Sequence, residues 1–255
     1  MFNIKDWRKL QNDITTDSLW ISNFSTNNRP LFLIPKRNWN IKNSENFHGL
    51  FIPEIPYQFI TRFTKSKDDL IWDPFFGSGT TKNVADYLGY NNGVYSDLHP
   101  INNLCSQKDI LDYKNDEDLN VQVAFCHPPY HNIVKYSDDE RDGSNKASIE
   151  LFLDWLEEVA KVYYKHIKVN GYVILVLGNL YLNGEEKTLG VWGKDRFCKD
   201  SKFICKAQII KDYGETKGSD GKNYNLNYVR QLRGGYNNFY GDNIFILKKN
   251  SKRNK

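Results

Sequence analysis

Residues 72–81, W-D-P-F-F-G-S-G-T-T, form the stretch that most constrains how this chain can fold. A short, mostly apolar run at 69–72 precedes it, and a segment with helical character at 80–88 follows it. The order predicts a strand, a tight turn and a helix start. Gly77 and Gly79 can adopt positive φ and carry no Cβ, so a ligand can approach the main chain and the helix N-terminus closely. A ligand with a negative end or many hydrogen-bond acceptors is expected there.

Three known loop types can be compared with this stretch. A phosphate-binding P-loop requires a lysine directly after the second glycine, where this chain has Thr80, so a P-loop is excluded. A dinucleotide fingerprint requires a third glycine at the position of Asn83, which disfavours dinucleotide binding. The string D-P-F-F-G-S-G-T-T closely resembles the S-adenosylmethionine loop of the DNA amino-methyltransferases, which methylate adenine N6 or cytosine N4.

This resemblance implies an α/β fold of the Rossmann-like, S-adenosylmethionine-dependent methyltransferase type. Its sheet is expected to be mostly parallel and seven-stranded, with helices on both faces. The cofactor is expected to be S-adenosyl-L-methionine, and no metal is expected. The loop residues implied in cofactor binding are Asp73, Pro74, Phe75, Gly77, Ser78, Gly79, Thr80 and Thr81.

An acid ends the second predicted strand, 93–97. Such an acid lies where a ribose presents its two hydroxyl groups, and Asp97 follows Asp73 by 24 positions, near the offset of about 20 that is expected. The segment Y-S-D-L-H-P also resembles the G-x-D-x-N-P segment of the family, with His99 in place of the usual asparagine. Asp97 is therefore predicted to bind the cofactor, and the alternative is an acid that only ends a strand.

Two other segments are implicated by the resemblance. Phe51 and Pro53 precede a helix predicted at 57–64 and would pack against the methionine end of the cofactor. Asp109, favoured over Asp112, would meet the adenine amino group. The alternatives are a loop that closes the sheet edge and a solvated loop acid.

The second decisive stretch is the buried β run 121–126 followed by His127, Pro128, Pro129 and Tyr130. Prolines cannot continue a central strand, so the chain must turn out at the carboxyl edge of the sheet, where ligands bind in open α/β folds. The segment resembles the [D/N/S]-P-P-Y motif of the amino-methyltransferases, which holds a flipped-out base. The resemblance implies that Tyr130 stacks on the base, while His127 and the Pro128 carbonyl accept hydrogen bonds from its exocyclic amine.

His127 stands where the family usually has Asp, Asn or Ser. A neutral imidazole still has one acceptor nitrogen, so the role is chemically open to it only when the ring is unprotonated. At the reference pKa, activity is predicted to fall below about pH 6.5. The alternative is a histidine that only caps the strand end. Cys126 is not interpreted as a nucleophile, because cytosine-C5 enzymes use Pro-Cys and this chain has Cys-His-Pro-Pro.

Composition sets outer limits. The 255 residues, 40% hydrophobic, can form one large domain or a domain with an appended lobe. Apolar runs are far shorter than the roughly 20 residues of a membrane span, and residues 1–10 lack an apolar signal core, so a cytoplasmic protein without membrane contact is expected. The four cysteines form no C-x-x-C pair, which predicts neither a zinc site nor a disulfide framework but small buried apolar residues.

The net charge of +4 is unevenly distributed. Residues 193–255 carry 15 Lys and Arg against 6 Asp and Glu, whereas the rest of the chain carries 20 against 25. This asymmetry is typical of a polyanion partner and predicts nucleic-acid contact by 194–233. We expect an N-terminal arm, 1–46, packed on a methyltransferase domain, 47–255. A small basic insert near 183–240 is the candidate target-recognition region.

The motif order resembles the arrangement called gamma and implies a site-specific DNA methyltransferase in a restriction-modification, bacterial or phage DNA-modification setting. Double-stranded DNA is the implied partner, together with a homodimer or a separate specificity chain. Two other classes stay open: a methyltransferase acting on RNA or protein glutamine, and an inactive nucleic-acid-binding subunit of a methyltransferase complex.

Secondary structure is predicted further along the chain from periodicity and breaker residues. The expected elements are a short helix at 102–107, a charged mobile loop at 138–146, a long helix at 149–168 with Ser148 as its cap, and strands at 172–179, 203–211 and 243–249.

Overall fold

A computed structural model describes residues 19–20, 52–212, 233–235 and 241–250. Within them the chain forms ten strands and four α-helices, together with three short 3₁₀ turns. The strands are β1 Leu19–Trp20, β2 Ile71–Asp73, β3 Gly93–Asp97, β4 Ser106–Gln107, β5 Val121–Cys126, β6 Ile167–Leu177, β7 Leu180–Leu182, β8 Glu185–Lys187, β9 Ile204–Asp212 and β10 Gly241–Lys248. The helices are α1 Glu54–Phe63, α2 Thr80–Tyr87, α3 Ile149–His166 and α4 Leu189–Lys199.

Eight strands form one sheet in the order β1-β9-β10-β6-β5-β2-β3-β4. Seven of them form the predicted sheet, and two residues of the predicted N-terminal arm add β1 in parallel to β9. Within this sheet every pairing is parallel except those of β10, which runs antiparallel to both β6 and β9. The strands β7 and β8 form a separate antiparallel pair. The predicted fold class, an α/β fold with a mostly parallel sheet, is confirmed.

Helices cover both faces of the sheet, and the alternation of side chains along β2 shows why. Successive strand residues point to opposite faces, so Ile71 packs with α1 and α2 while Trp72 packs with α3 and α4. Both residues are fully buried. A strand with apolar residues on both faces must be covered on both, which places a hydrophobic core on each side.

The local signals for the helices act as expected. Ser148 caps α3 by accepting a hydrogen bond from the Leu151 amide, and Pro56 lies in the first turn of α1, where its missing N–H costs little. The α2 helix begins directly after Gly79. No helix in the described part of the chain is both long and apolar enough to span a membrane.

Several local predictions are wrong. Residues 102–107 form turns and the short strand β4 rather than a helix. The α3 helix ends at His166, two residues earlier than predicted, and the chain enters β6 at once, with Ile167 paired to Val121 of β5. Of the cysteines, only Cys126 is buried, and Cys205 is exposed.

The segment 138–146, expected to be a mobile loop, is a loop with its own hydrogen bonds and a short 3₁₀ turn at Gly143–Asn145. The Asn145 side-chain amide donates to the carbonyls of Ser137 and Asp139, and the Ser137 hydroxyl donates to Asp142. Side-chain bonds of this kind replace the regular backbone pairing that the sequence lacks. The loop therefore adds a wall to the site described next.

Candidate active site

The site lies at the carboxyl edge of the sheet, where β2 has β3 on one side and β5 on the other. At such a switch point the loops after neighbouring strands diverge and leave a crevice. The loops after β2, β3 and β5 begin at Pro74, Leu98 and His127, and all three residues line one cavity of about 410 Å³. A cavity of this size is in the range that holds a small ligand.

The glycine loop between β2 and α2 has the conformation that its composition predicts. Gly77 has φ +52° and Gly79 has φ +92°, both in the left-handed region. A Cβ on Gly79 would lie 2.8 Å from Cζ of Phe76. Only glycine meets both conditions at position 79, so the loop can turn sharply into α2 and bring its backbone to the cavity.

Asp73 supports this loop from below. Its carboxyl group is 1% exposed and accepts hydrogen bonds from the Thr81 hydroxyl at 2.5 Å and from the Phe75 amide at 3.1 Å. Burial raises the pKa of Asp73 to about 7, against the opposing effect of the Thr81 hydrogen bond. Asp73 and Thr81 therefore hold the turn in shape but do not line the cavity.

Asp97, at the end of β3, connects the glycine loop with the loop after β3. Its carboxyl group accepts the Gly77 amide at 2.8 Å and the His99 amide at 2.9 Å, one on each oxygen. A carboxylate has about four acceptor positions, so two remain for hydroxyl groups in the cavity. Asp97 thus fixes the glycine loop and lines the cavity at once.

Asp109 lies on the wall beyond Asp97. It is 6% exposed, lines the cavity and accepts the Leu111 amide at 2.9 Å. Burial is the first cause that raises the pKa of Asp109 above its ordinary value. Asp109 therefore lies in the cavity wall together with Leu98 and Ile110, and its contact with an adenine amino group stays a prediction.

The opposite wall is the segment that follows β5. Nε2 of His127 lies 2.9 Å from the Tyr130 hydroxyl, which donates to Oδ1 of Asp242 at 3.1 Å. Burial lowers the pKa of His127 to about 4, while Asp242 acts in the opposite direction and Lys211 in the same direction as burial. The ring is therefore neutral at pH 7. The predicted loss of activity below about pH 6.5 used the pKa of an exposed histidine, and the lowered pKa of His127 moves the expected loss to about pH 4.

Cys126 has the character expected of an inert thiol. It is fully buried at the end of β5, and burial raises its pKa far above the ordinary thiol value. A nucleophilic cysteine needs thiolate character at neutral pH. The structure therefore agrees with the interpretation that Cys126 is not a nucleophile.

Eleven of the predicted site residues line the cavity together. They are Pro74, Phe75, Gly77, Ser78, Thr80, Asp97, Asp109, His127, Pro128, Pro129 and Tyr130. Asp73, Gly79 and Thr81 support the loop from behind. Pro53 is buried at the start of α1 and is absent from the lining, and Phe51 lies outside the described residues.

Two polar atoms in the cavity wall have no hydrogen-bond partner within the described part of the protein. These are the Ser78 hydroxyl, on the glycine loop, and Nε1 of Trp155, on α3. Buried polar groups are normally paired, because an unpaired one costs about 1–3 kcal/mol. A bound ligand with hydrogen-bonding groups at this wall would satisfy them.

Sequence reasoning missed the wall contributed by the 131–147 loop and by the last strand. Tyr136, Arg141 and Gly143 come from the loop, and Asp242 comes from β10. Gly143 had one available signal, since a glycine within a charged run can mark a close approach. A Cβ there would lie 2.7 Å from Cζ3 of Trp155. Asp242 carries no local signal of its role.

Two cations of α4, within the predicted basic insert, pair with carboxylates of α3. Arg196 pairs with Glu150, Asp154 and Glu157 on α3, and Lys199 lies 3.6 Å from Glu157. These cations already have carboxylate partners, which weakens the expectation that 194–200 contacts nucleic acid. Arg233 is exposed, and residues 213–232 lie outside the described part.

No family model and no curated protein sequence matches this chain. Solved structures do match it. A proposed DNA modification methylase from Thermus thermophilus shares 16% identity and a TM-score of 0.40 over 58% of this chain and 53% of the other. A geranyl diphosphate methyltransferase, in complex with GPP and sinefungin, shares 10% identity and a TM-score of 0.50 over 77% of each chain. TrmN from Thermus thermophilus shares 11% identity and a TM-score of 0.50 over 79% of this chain and 50% of the other.

The chain spans about half the length of the first of these structures. The two structures with a TM-score of 0.50 are only 10% and 11% identical to this chain, so the similarity concerns the fold, and the fold is that of methyltransferases.

Proposed function

We propose that this protein is a DNA methyltransferase that moves a methyl group from S-adenosyl-L-methionine to the exocyclic amine of a flipped-out base, adenine N6 or cytosine N4. One observation carries the proposal. The glycine loop with Asp97 and the His-Pro-Pro-Tyr segment, two motifs about 50 positions apart in the chain, line the same cavity. A methyl donor and an amine acceptor must meet in one enclosed space.

The residues of the cofactor side suit S-adenosylmethionine. Asp97 has acceptor positions for ribose hydroxyls, Asp109 has an acceptor for an adenine amine, and the Ser78 hydroxyl is unpaired on the loop. Gly77 and Gly79 keep side chains out of the approach to the main chain. When bound, this cofactor would supply an electrophilic methyl group.

The residues of the opposite wall suit a base with an exocyclic amine. An aromatic amine is a poor nucleophile because its lone pair is delocalised, and acceptors that favour a pyramidal nitrogen raise its reactivity. The neutral ring of His127 and the carbonyl of Pro128 are such acceptors. Extruding the base costs a few kcal/mol, and stacking on Tyr130, about 1–3 kcal/mol, offsets part of it.

Double-stranded DNA is the proposed substrate because the D-P-F-x-G-S-G-T-T loop resembles DNA amino-methyltransferases more than enzymes acting on RNA or protein glutamine. A second copy or a separate chain would supply target recognition, since the described cations of α4 already pair with carboxylates of α3.

The test is transfer of a labelled methyl group from S-adenosylmethionine to mixed-sequence duplex DNA, followed by nucleoside mass spectrometry. N6-methyladenine or N4-methylcytosine is expected, and its identity assigns the base. The Tyr130→Ala variant should lose the product while binding the cofactor, and Tyr87→Ala, an exposed tyrosine on α2, is the matched control.

Absence of label in DNA with cofactor binding intact would contradict the DNA assignment. The same assay with RNA, with glutamine-containing protein, or with added cell extract would then separate another substrate from a missing partner. Absence of cofactor binding by calorimetry would contradict the enzymatic proposal and favour an inactive binding subunit.

A further inference from the structure

Three side chains form a series of polar contacts that begins at His127: Tyr130 in the loop after β5, Asp242 in β10 and Lys211 in β9. The Tyr130 hydroxyl lies between Nε2 of His127, at 2.9 Å, and Oδ1 of Asp242, at 3.1 Å. Oδ2 of Asp242 lies 3.9 Å from Nζ of Lys211. Asp242 and Lys211 face each other as cross-strand partners of β10 and β9, and both are largely buried.

The direction of each hydrogen bond in this series follows from the donors and acceptors that each group has. An ionised carboxyl group can only accept hydrogen bonds, so the Tyr130 hydroxyl must donate to Asp242. The phenol has one proton, so its oxygen accepts from Nε2 of His127. A neutral imidazole with its proton on Nε2 has its acceptor lone pair on Nδ1.

We propose that Asp242, oriented by Lys211, is a positioning residue that acts through Tyr130 to fix the tautomer of His127 in which Nδ1 accepts a hydrogen bond from the target amine. This inference rests on the proposed function and adds to it a residue outside both motifs. It also explains how a histidine can replace Asp, Asn or Ser at this position, since one imidazole tautomer presents an acceptor and the other presents a donor at the same atom.

Gly178 allows the Tyr130 ring to pack closely against the end of β6. Gly178 follows the end of β6, and a Cβ there would lie 2.7 Å from Cε2 of Tyr130 and 3.3 Å from Oδ1 of Asp242. The absence of a side chain lets the Tyr130 ring lie against the strand end. In this position the Tyr130 hydroxyl lies within hydrogen-bond distance of Asp242.

The charged groups that act on His127 in the described part of the chain lie on two strands. Asp242 on β10 raises the pKa of His127, and Lys211 on β9 lowers it. Tyr130 is the titratable group in direct contact with the ring. Changes at Asp242 and Lys211 should therefore move the titration of His127 in opposite directions.

The direct test is ¹⁵N NMR of protein labelled at its five histidines, with the His127 signals assigned by their loss in His127→Asn. The native protein is expected to show protonated Nε2 and unprotonated Nδ1. Asp242→Ala should raise the Nδ1-protonated form by at least about tenfold relative to the native ratio, since a hydrogen bond to a charged group is worth about 1.5–3 kcal/mol. Asp242→Asn keeps an oxygen acceptor and should restore the native tautomer.

Tyr130→Phe provides a second route if Asp242→Ala fails to fold, since it removes the connecting hydroxyl and keeps the ring. It should change the tautomer ratio in the same direction as Asp242→Ala. A native ring protonated on Nδ1, or a ratio unchanged in both variants, would overturn the proposal.

The kinetic arm separates this inference from the proposed function. In methyl transfer, Asp242→Ala should lower kcat about tenfold with little change in the KM for the cofactor, and Asp242→Asn should recover most of that loss. Because the tautomer is measured without substrate, its outcome stands even if no DNA product forms. Methyl transfer with an unchanged tautomer in Asp242→Ala would sink the inference and leave the proposed function intact.

Discussion

The two halves of the cavity are built in different ways. One half, the proposed cofactor half, contains the glycine loop and Asp97, and its supporting hydrogen bonds join residues that are close in the sequence. Thr81 and Asp73 are 8 positions apart, and Gly77 and Asp97 are 20 positions apart. On the opposite side Tyr130 contacts Asp242, 112 positions away. The first half depends on one strand-loop-helix unit and its neighbour, whereas the second depends on how the last strand enters the sheet. Substitutions around the glycine loop and substitutions around Tyr130 are therefore expected to have different effects.

The largest expected effect concerns the stability of the cofactor half. Asp73 has a pKa of about 7 in the folded protein, above the ordinary value of 3.8. The folded state thus binds more protons than the unfolded state between about pH 4 and 7, and Asp73 lowers the free energy of unfolding as the pH rises through that window. Since a tenfold change in a proton equilibrium is worth about 1.4 kcal/mol, the loss is on the order of 4 kcal/mol.

Urea unfolding of the native protein and Asp73→Asn at pH 4, 5.5, 7 and 8 measures this effect. The difference between the two proteins should grow in favour of Asp73→Asn as the pH rises. A difference that stays constant from pH 4 to 8 would show that Asp73 is ionised throughout.

The next largest effect tests whether the glycine loop itself carries cofactor binding. Gly79→Ala introduces a Cβ 2.8 Å from Cζ of Phe76 at φ +92°, so either the buried Phe76 ring or the loop must shift. A displacement of about 1 Å at a positioning element costs on the order of 100-fold, and we expect a loss of that size in S-adenosylmethionine affinity by calorimetry.

Gly89→Ala is the matched control for Gly79→Ala. Gly89 also has positive φ, +73°, but nothing lies within 4 Å of the added Cβ. Gly89→Ala should have the same backbone strain as Gly79→Ala, which costs about 1–2 kcal/mol of stability, and should keep the native affinity for the cofactor. Equal losses of affinity in both variants would mean that strain, rather than the shape of the loop, weakens binding.

A smaller effect is expected from Asp97→Asn. The amide keeps the size of the side chain, but one of its two ends can no longer accept, so either the Gly77 amide or the His99 amide loses its partner. Cofactor affinity should fall about tenfold or somewhat more, as for a lost hydrogen bond to a charged group. Asp86→Asn, exposed on α2, is the control, and equal affinities for the two variants would contradict a role for Asp97.

The smallest effect is expected in the pH dependence of the opposite half. Burial lowers the pKa of His127 to about 4, so the neutral acceptor form persists from pH 8 down to about pH 5. Protonation of His127 should reduce kcat only as the pH falls through about 4. In His127→Asn, whose side chain does not titrate, this low-pH limb should disappear. A limb centred near 6.5 in the native protein would mean that the ring is solvated during turnover.

Much of the cofactor half could be predicted from the sequence because its information is local. Gly77 and Gly79 mark positive φ by residue type, and Asp97 marks a strand end. In the opposite half the paired prolines at 128 and 129 carry a local signal of the same kind, since they mark where β5 must leave the sheet. Where local signals were weak, less could be predicted: residues 102–107 form turns and β4 rather than the expected helix, and the 138–146 loop has side-chain hydrogen bonds that no spacing indicates.

The sequence by itself determined the glycine loop and the turn after β5, since both follow from the conformational limits of glycine and proline. The α/β methyltransferase fold was predicted from the resemblance of the two motifs to those of the DNA amino-methyltransferases. Only the tertiary structure decided which groups control His127. Asp242 reaches Tyr130 because β10 inserts antiparallel between β6 and β9, in a register that pairs Asp242 with Lys211. Strand register across the sheet is set by non-local pairing and packing, so it brings together residues whose positions in the chain carry no sign of one another.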